Sequence, residues 1–193
     1  MTKIFGDFID ELSINQEFLL LGFSTSAGPI KQRWRNNGLS ADFMADYLTT
    51  FFPTSEEDST ASNQQVEIKS TVSYIANELL EKAMKFNDET SPYPISIKLQ
   101  LHSDRIVFLS TNSVYPQSVE SFQAFIEELT TSDPGDLYIR QLEKNAEDES
   151  ESPSRLGFLT MMNDYLAKLG WKFETVQKDP EVITVTTMVQ LII

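Results

Sequence analysis

The chain has 193 residues, with 29 acidic against 15 basic side chains, a formal charge of −14, one histidine and no cysteine. The missing cysteines exclude disulfide frameworks, thiolate metal sites and thiol catalysis, and the lone His102 excludes a histidine-rich metal site. The charge argues against nonspecific nucleic-acid binding and docking on anionic lipid, which need clustered cations, while length and composition suit a globular domain with a substantial core.

Acidic residues interrupt the apolar ones from Met1 to Leu12, so no signal-peptide apolar core forms. The apolar run Phe18 to Leu21 is far shorter than the roughly 20 residues that span a membrane, and the expectation is a cytosolic protein. Ile14 to Phe23 reads as a strand ended by the turn signal Ser24 to Pro29. Lys31, Arg33 and Arg35 flank Trp34 in the chain's only basic cluster. Arg and Trp favour the energetic centres of interfaces, so this patch reads as a docking surface for an acidic partner, or else as a solvated loop beside a buried tryptophan. Ser40 is placed to cap a helix over Ala41 to Phe51, which stops before Pro53.

Thr54 to Gln65 carries no aliphatic residue larger than alanine and reads as a surface loop. Val66 to Phe86 is a strong helix, because Val72, Ile75, Leu79, Ala83 and Phe86 recur at steps of three and four. Ile95, Ile97, Leu99 and Leu101 alternate with polar residues, and after Ser103-Asp104 the strand Arg105 to Asn112 returns, so this is a hairpin. Pro116 opens a helix to about Leu129, and Asp133-Pro134 opens another to about Asn145. Ala146 to Ser154 is an acidic stretch whose self-repelling charges predict a mobile loop. Leu156 to Leu169 reads as a helix capped by Gly170, followed by strands Trp171 to Val176 and Val182 to Ile193. The pattern is a layered α/β domain.

Glu78 and Lys82 lie at i and i+4 and share a helix face, as many surface ion pairs do. His102 and the pair Met161 and Met162 read as structural. The order of elements carries more information than any of these spacings alone. A long helix, a β-hairpin, a lid-like stretch, a helix start bearing glycine and two closing strands follow one another. In this order the chain resembles the GHKL superfamily of ATPases, with Ile75 to Phe86 similar to its N-box helix and Ser154-Arg155-Leu156-Gly157-Phe158-Leu159 similar to its second glycine box. Arg33 to Pro53 further resembles small stand-alone cyanobacterial proteins related to the anti-sigma-factor serine kinases.

The resemblance implies a single domain over residues 1–193, a two-layer GHKL-like sandwich with a mixed, mostly antiparallel sheet covered by helices. Residues 1–65 would form a family-specific part and residues 66–193 an ATPase-like core. It implies Glu78 as the catalytic general base. Lys82 stands where the family has a metal-holding asparagine, and an ammonium has no acceptor for Mg²⁺. Asn112 stands nearest the aspartate that receives the adenine amino group, with no glycine after it. Arg155 and Gly157 would lie by the phosphates, at a helix start whose free N–H groups can hold an anion. Nucleotide binding, if retained, would use Lys82, Asn112, Arg155 and Gly157.

The implied function is that of a regulatory, anti-sigma-factor-like protein, a degenerate protein serine kinase or pseudokinase. It would act on a STAS-type partner through Lys31, Arg33, Trp34 and Arg35, in the cytoplasm, with no cofactor required, ATP optional and Mg²⁺ disfavoured. Two alternatives stay open: an active ATP-dependent protein serine kinase, and a nucleotide-free structural homodimer.

Overall fold

A computed structural model describes residues 1–13, 16–24, 34–52, 59–147 and 154–193. In chain order it has β1 (Thr2–Gly6), β2 (Glu17–Phe23), α1 (Trp34–Thr49), α2 (Ser59–Lys85), β3 (Ile95–Leu101) and β4 (Arg105–Val114). A 3₁₀ turn (Pro116–Ser118), α3 (Val119–Thr131), α4 (Pro134–Glu147), α5 (Ser154–Asn163), β5 (Lys168–Lys178) and β6 (Glu181–Ile192) follow. The six strands form one sheet in the order β1-β5-β6-β4-β3-β2, with every pairing antiparallel. The architecture is the two-layer sandwich that the sequence resemblance implies.

Alternation along each strand decides which side chains meet the helices. Ile97 and Leu99 of β3, Ile106 and Phe108 of β4, and Leu169 and Trp171 of β5 lie in one buried cluster with the apolar faces of the helices. From α2 this cluster takes Val72, Ile75 and Leu79 as predicted, whereas Phe86 falls beyond the helix end and is exposed. Both α1 and α2 are longer than expected. Ala41, Met44, Ala45 and Leu48 of α1 are buried, and this burial outweighs the helix cost of Gly38, about 1 kcal/mol. Ser59 to Gln65, read as loop, is the first part of α2, and the Gln65 amide donates to the Thr49 carbonyl (3.1 Å) at the end of α1.

Gly170 is not a helix cap. It lies inside β5 opposite Gly6, and α5 ends at Asn163. Leu166, at φ 52°, takes the left-handed conformation between the two elements. The reason for a glycine at 170 comes from far away in the chain. Asp7 to Ser13 crosses the other face of the sheet, and a Cβ on residue 170 would stand 2.3 Å from the backbone nitrogen of Phe8. The crossing segment is tied down by four side chains, of which Met188 accepts from the Ile9 N–H at its Sδ (3.4 Å). The Gln190 amide donates to the Asp7 carbonyl (2.6 Å), the Gln100 amide donates to the Ser13 carbonyl (2.7 Å), and the Lys172 ammonium donates to Asp10 (2.7 Å). Among the described residues, no helix is long and apolar enough to cross a membrane.

Candidate functional site

The middle of α2 sets one side of the site. Tyr74, Glu78 and Lys82 succeed one another at four-residue steps and so share a stripe of the helix. Tyr74 stacks on Tyr165, with ring centroids 5.2 Å apart. Burial pushes its phenol up to about 12, and the charge of Glu78 adds to the shift against a hydrogen bond with Thr160. Lys82 is only 8% exposed, and its ammonium donates to Glu78 Oε2 at 3.0 Å. The same ammonium lies 4.9 Å from the centre of the Phe158 ring, on α5.

The first turns of α5 press directly on this pair. A Cβ at Gly157 would stand 2.0 Å from Glu78 Oε2 and 2.7 Å from Lys82 Nζ. Glycine is therefore used here for close approach, not for a special φ. Phe158, the next residue, packs edge-on against the buried Trp171 and carries α5 onto the sheet.

Beside the pair lies a cavity of about 430 Å³ between α2, β4, β6, α3 and α5. Its apolar wall comes from Leu79, Phe86, Phe122, Phe125, Phe158 and Val185. Its polar lining includes Ser110 and Asn112, which alternation on β4 turns to the helix side. The end of β4 is locked to the chain that leaves α2. The Asn112 amide donates to the Ser113 carbonyl (2.9 Å), and the Ser113 N–H donates to Asn87 Oδ1 (3.2 Å). The hydroxyls of Ser91 and Ser113 share a hydrogen bond of 2.7 Å.

Of the residues singled out in the sequence, Lys82, Asn112 and Arg155 line the cavity together, and Glu78 and Gly157 join them through the ion pair. Trp34 and Arg35 open α1, while Lys31 and Arg33 lie outside the described residues. Of the acidic stretch Ala146 to Ser154, residues 148–153 also lie outside them. The lining residues that the sequence reading did not assign to a site include Lys85, Ser110, Phe122 and Phe125. For Ser110 a signal was present, since it is a polar residue at a position in β4 whose parity matches the buried Ile106 and Phe108.

At the position where the resemblance would place a metal-holding oxygen stands the Lys82 ammonium, which offers no acceptor to Mg²⁺ and already donates to Glu78, the carboxylate that the resemblance would make the base, so this pair does not fit the metal. Among the described residues no group of three acidic or histidine side chains is arranged to hold a metal ion.

No protein-family model and no curated protein matches the chain. Among solved structures, a chain of the SiaB–SiaC complex from Pseudomonas aeruginosa has the same fold, with a TM-score of 0.52 and 14% identity. The match covers 91% of this chain and 89% of that one.

Proposed function

We propose that the chain is a regulatory protein of the GHKL type that acts by binding a partner protein, with the phosphoryl-transfer chemistry of its kinase relatives impaired. The observation that carries this reading is the ion pair of Glu78 and Lys82, packed against Gly157. Phosphoryl transfer depends on metal-assisted charge neutralisation and on a free group that positions the nucleophile. On this reading one salt bridge takes up both of the side chains that those roles would need. The partner side is supported by the shared fold with a chain that was crystallised in a complex of two different proteins.

The partner proposed is a STAS-type protein. The contact surface proposed is the basic stretch of Lys31, Arg33, Trp34 and Arg35, the only locally positive run in a chain of charge −14. An acidic face would be steered to it, with association slowing as salt rises. The test uses purified STAS-domain proteins encoded in the same genome. One of them is expected to form a one-to-one complex without ATP, and Arg33→Ala/Arg35→Ala is expected to abolish that complex while leaving the melting temperature nearly unchanged. Transfer of labelled γ-phosphate to a serine or threonine of that partner would favour the active-kinase alternative. Unchanged complex formation by the double variant would move the contact elsewhere.

A further inference from the structure

The cavity beside α2 has a composition that the protein-binding reading does not use. In a chain with nearly twice as many acidic as basic residues, its lining among the described residues contains Lys82, Lys85 and Arg155 and no aspartate or glutamate. Arg155 sits 4.7 Å from the centre of the Phe125 ring and makes no ion pair among the described residues. The lining also carries the Ser110 hydroxyl, which is 2% exposed as a residue and has no hydrogen-bond partner among the described residues. A buried hydroxyl left unpaired costs about 1–3 kcal/mol, so its retention at a cavity wall points to something that bonds it from within. The remaining surface is mostly aromatic and aliphatic. A volume of about 430 Å³ lies in the range typical of small-molecule sites.

We infer that this cavity binds an amphipathic organic anion without a metal: an apolar, preferably aromatic body between the phenylalanines, and one carboxylate, sulfonate or phosphate head between Lys82 and Arg155. Lys82 is part-neutralised by Glu78, and Arg155 supplies the charge that is left over. The phenylalanine rings give the body its contact area, and Ser110 offers one hydrogen bond that orients it. Mg²⁺ has no place in this arrangement, because the ammonium already provides the positive charge. The inference goes beyond the partner-binding reading and is tested without any partner, so either can fail while the other stands.

The test compares two fluorescent probes that differ by one charged group, 8-anilinonaphthalene-1-sulfonate and its neutral counterpart N-phenyl-1-naphthylamine, titrated into the folded full chain. The sulfonate is expected to bind with one-to-one stoichiometry at least tenfold more tightly than the neutral probe, with or without Mg²⁺. Arg155→Met and Lys82→Met are each expected to weaken the sulfonate about tenfold and leave the neutral probe unchanged, and Lys82→Arg is expected to retain binding. If Lys82→Met does not fold, Arg155→Met and Lys82→Arg still decide. Equal affinity for both probes, binding of several molecules per chain, or full sulfonate affinity in Arg155→Met would overturn the inference. Displacement of the sulfonate by ATP only when Mg²⁺ is present would overturn it too, by showing a nucleotide site.

Discussion

Gly157 shows how one side chain's absence can set the chemistry of two others. Alanine is favoured over glycine inside a helix by about 0.5–1 kcal/mol, so Gly157→Ala taken alone should stabilise α5. In this fold the added methyl would instead displace Glu78 and Lys82 from their partly buried pair. We expect Gly157→Ala to destabilise the native chain by about 1–2 kcal/mol, and to be neutral or stabilising when Glu78 is also alanine. A double-mutant cycle by chemical denaturation measures this coupling, and strictly additive effects would contradict the contact. Tyr74 makes a second prediction at this scale. Its phenol titrates higher in the folded chain than in the unfolded one, so the folded state holds the proton over a window from about 10 to about 12. The stability it confers is complete below that window and is lost as pH rises through it. Tyr74→Phe should flatten the fall in stability over that range, and an equal slope in both proteins would show that Tyr74 is not its source.

The elements that could be read from the sequence are those whose signal is local. Strand β3 shows period two, α2 shows a stripe at helical period, and the Ser103-Asp104 turn joins β3 to β4 as expected. The elements that were missed depend on residues far away. Strand β1 is a five-residue strand paired with β5, about 170 positions later, and nothing in Met1 to Leu12 announces it. Leu156 to Leu169 has the spacing of a helix, yet the chain turns at Leu166 and enters β5, because Trp171 and Leu169 are needed in the sheet. Gly170 looked like a cap because its true neighbour, Phe8, is invisible in the local sequence. The candidate site divides in the same way. Glu78, Lys82 and Gly157 were legible from spacing and resemblance, but their mutual contact is tertiary, and so is the role of Ser110.

The segment that crosses the sheet also has a measurable anchor. The hydrogen bond from Lys172 to Asp10, with Glu174 close by, holds the lysine ammonium above its ordinary range. The Asp10 side of the pair is largely exposed, so Lys172→Met should cost no more than about 1 kcal/mol globally. Hydrogen exchange at Asp7 to Ser13 should rise severalfold, while the core of α2 keeps its protection. Equal exchange in both proteins would mean that Gln100, Met188 and Gln190 hold the segment without Lys172.

At the scale of the whole molecule, a six-stranded sheet and the helices packed on it enclose a cavity, and beside that cavity stand the Glu78–Lys82 ion pair and an apolar wall. The fold is shared with a protein chain found in a two-protein complex, and the charge of −14 leaves a single basic run for steering a partner. Both features accord with the proposed reading of a partner-binding protein in which phosphoryl transfer is impaired. The pairing of Lys82 with Glu78 is central to that reading, and calorimetric titration of the intact chain with ATP, in the presence and absence of Mg²⁺, measures its consequence directly. The prediction is weak or undetectable binding that Mg²⁺ does not strengthen, with a Mg²⁺-dependent gain appearing only in Lys82→Asn. Micromolar, Mg²⁺-dependent ATP affinity in the unaltered chain would contradict it.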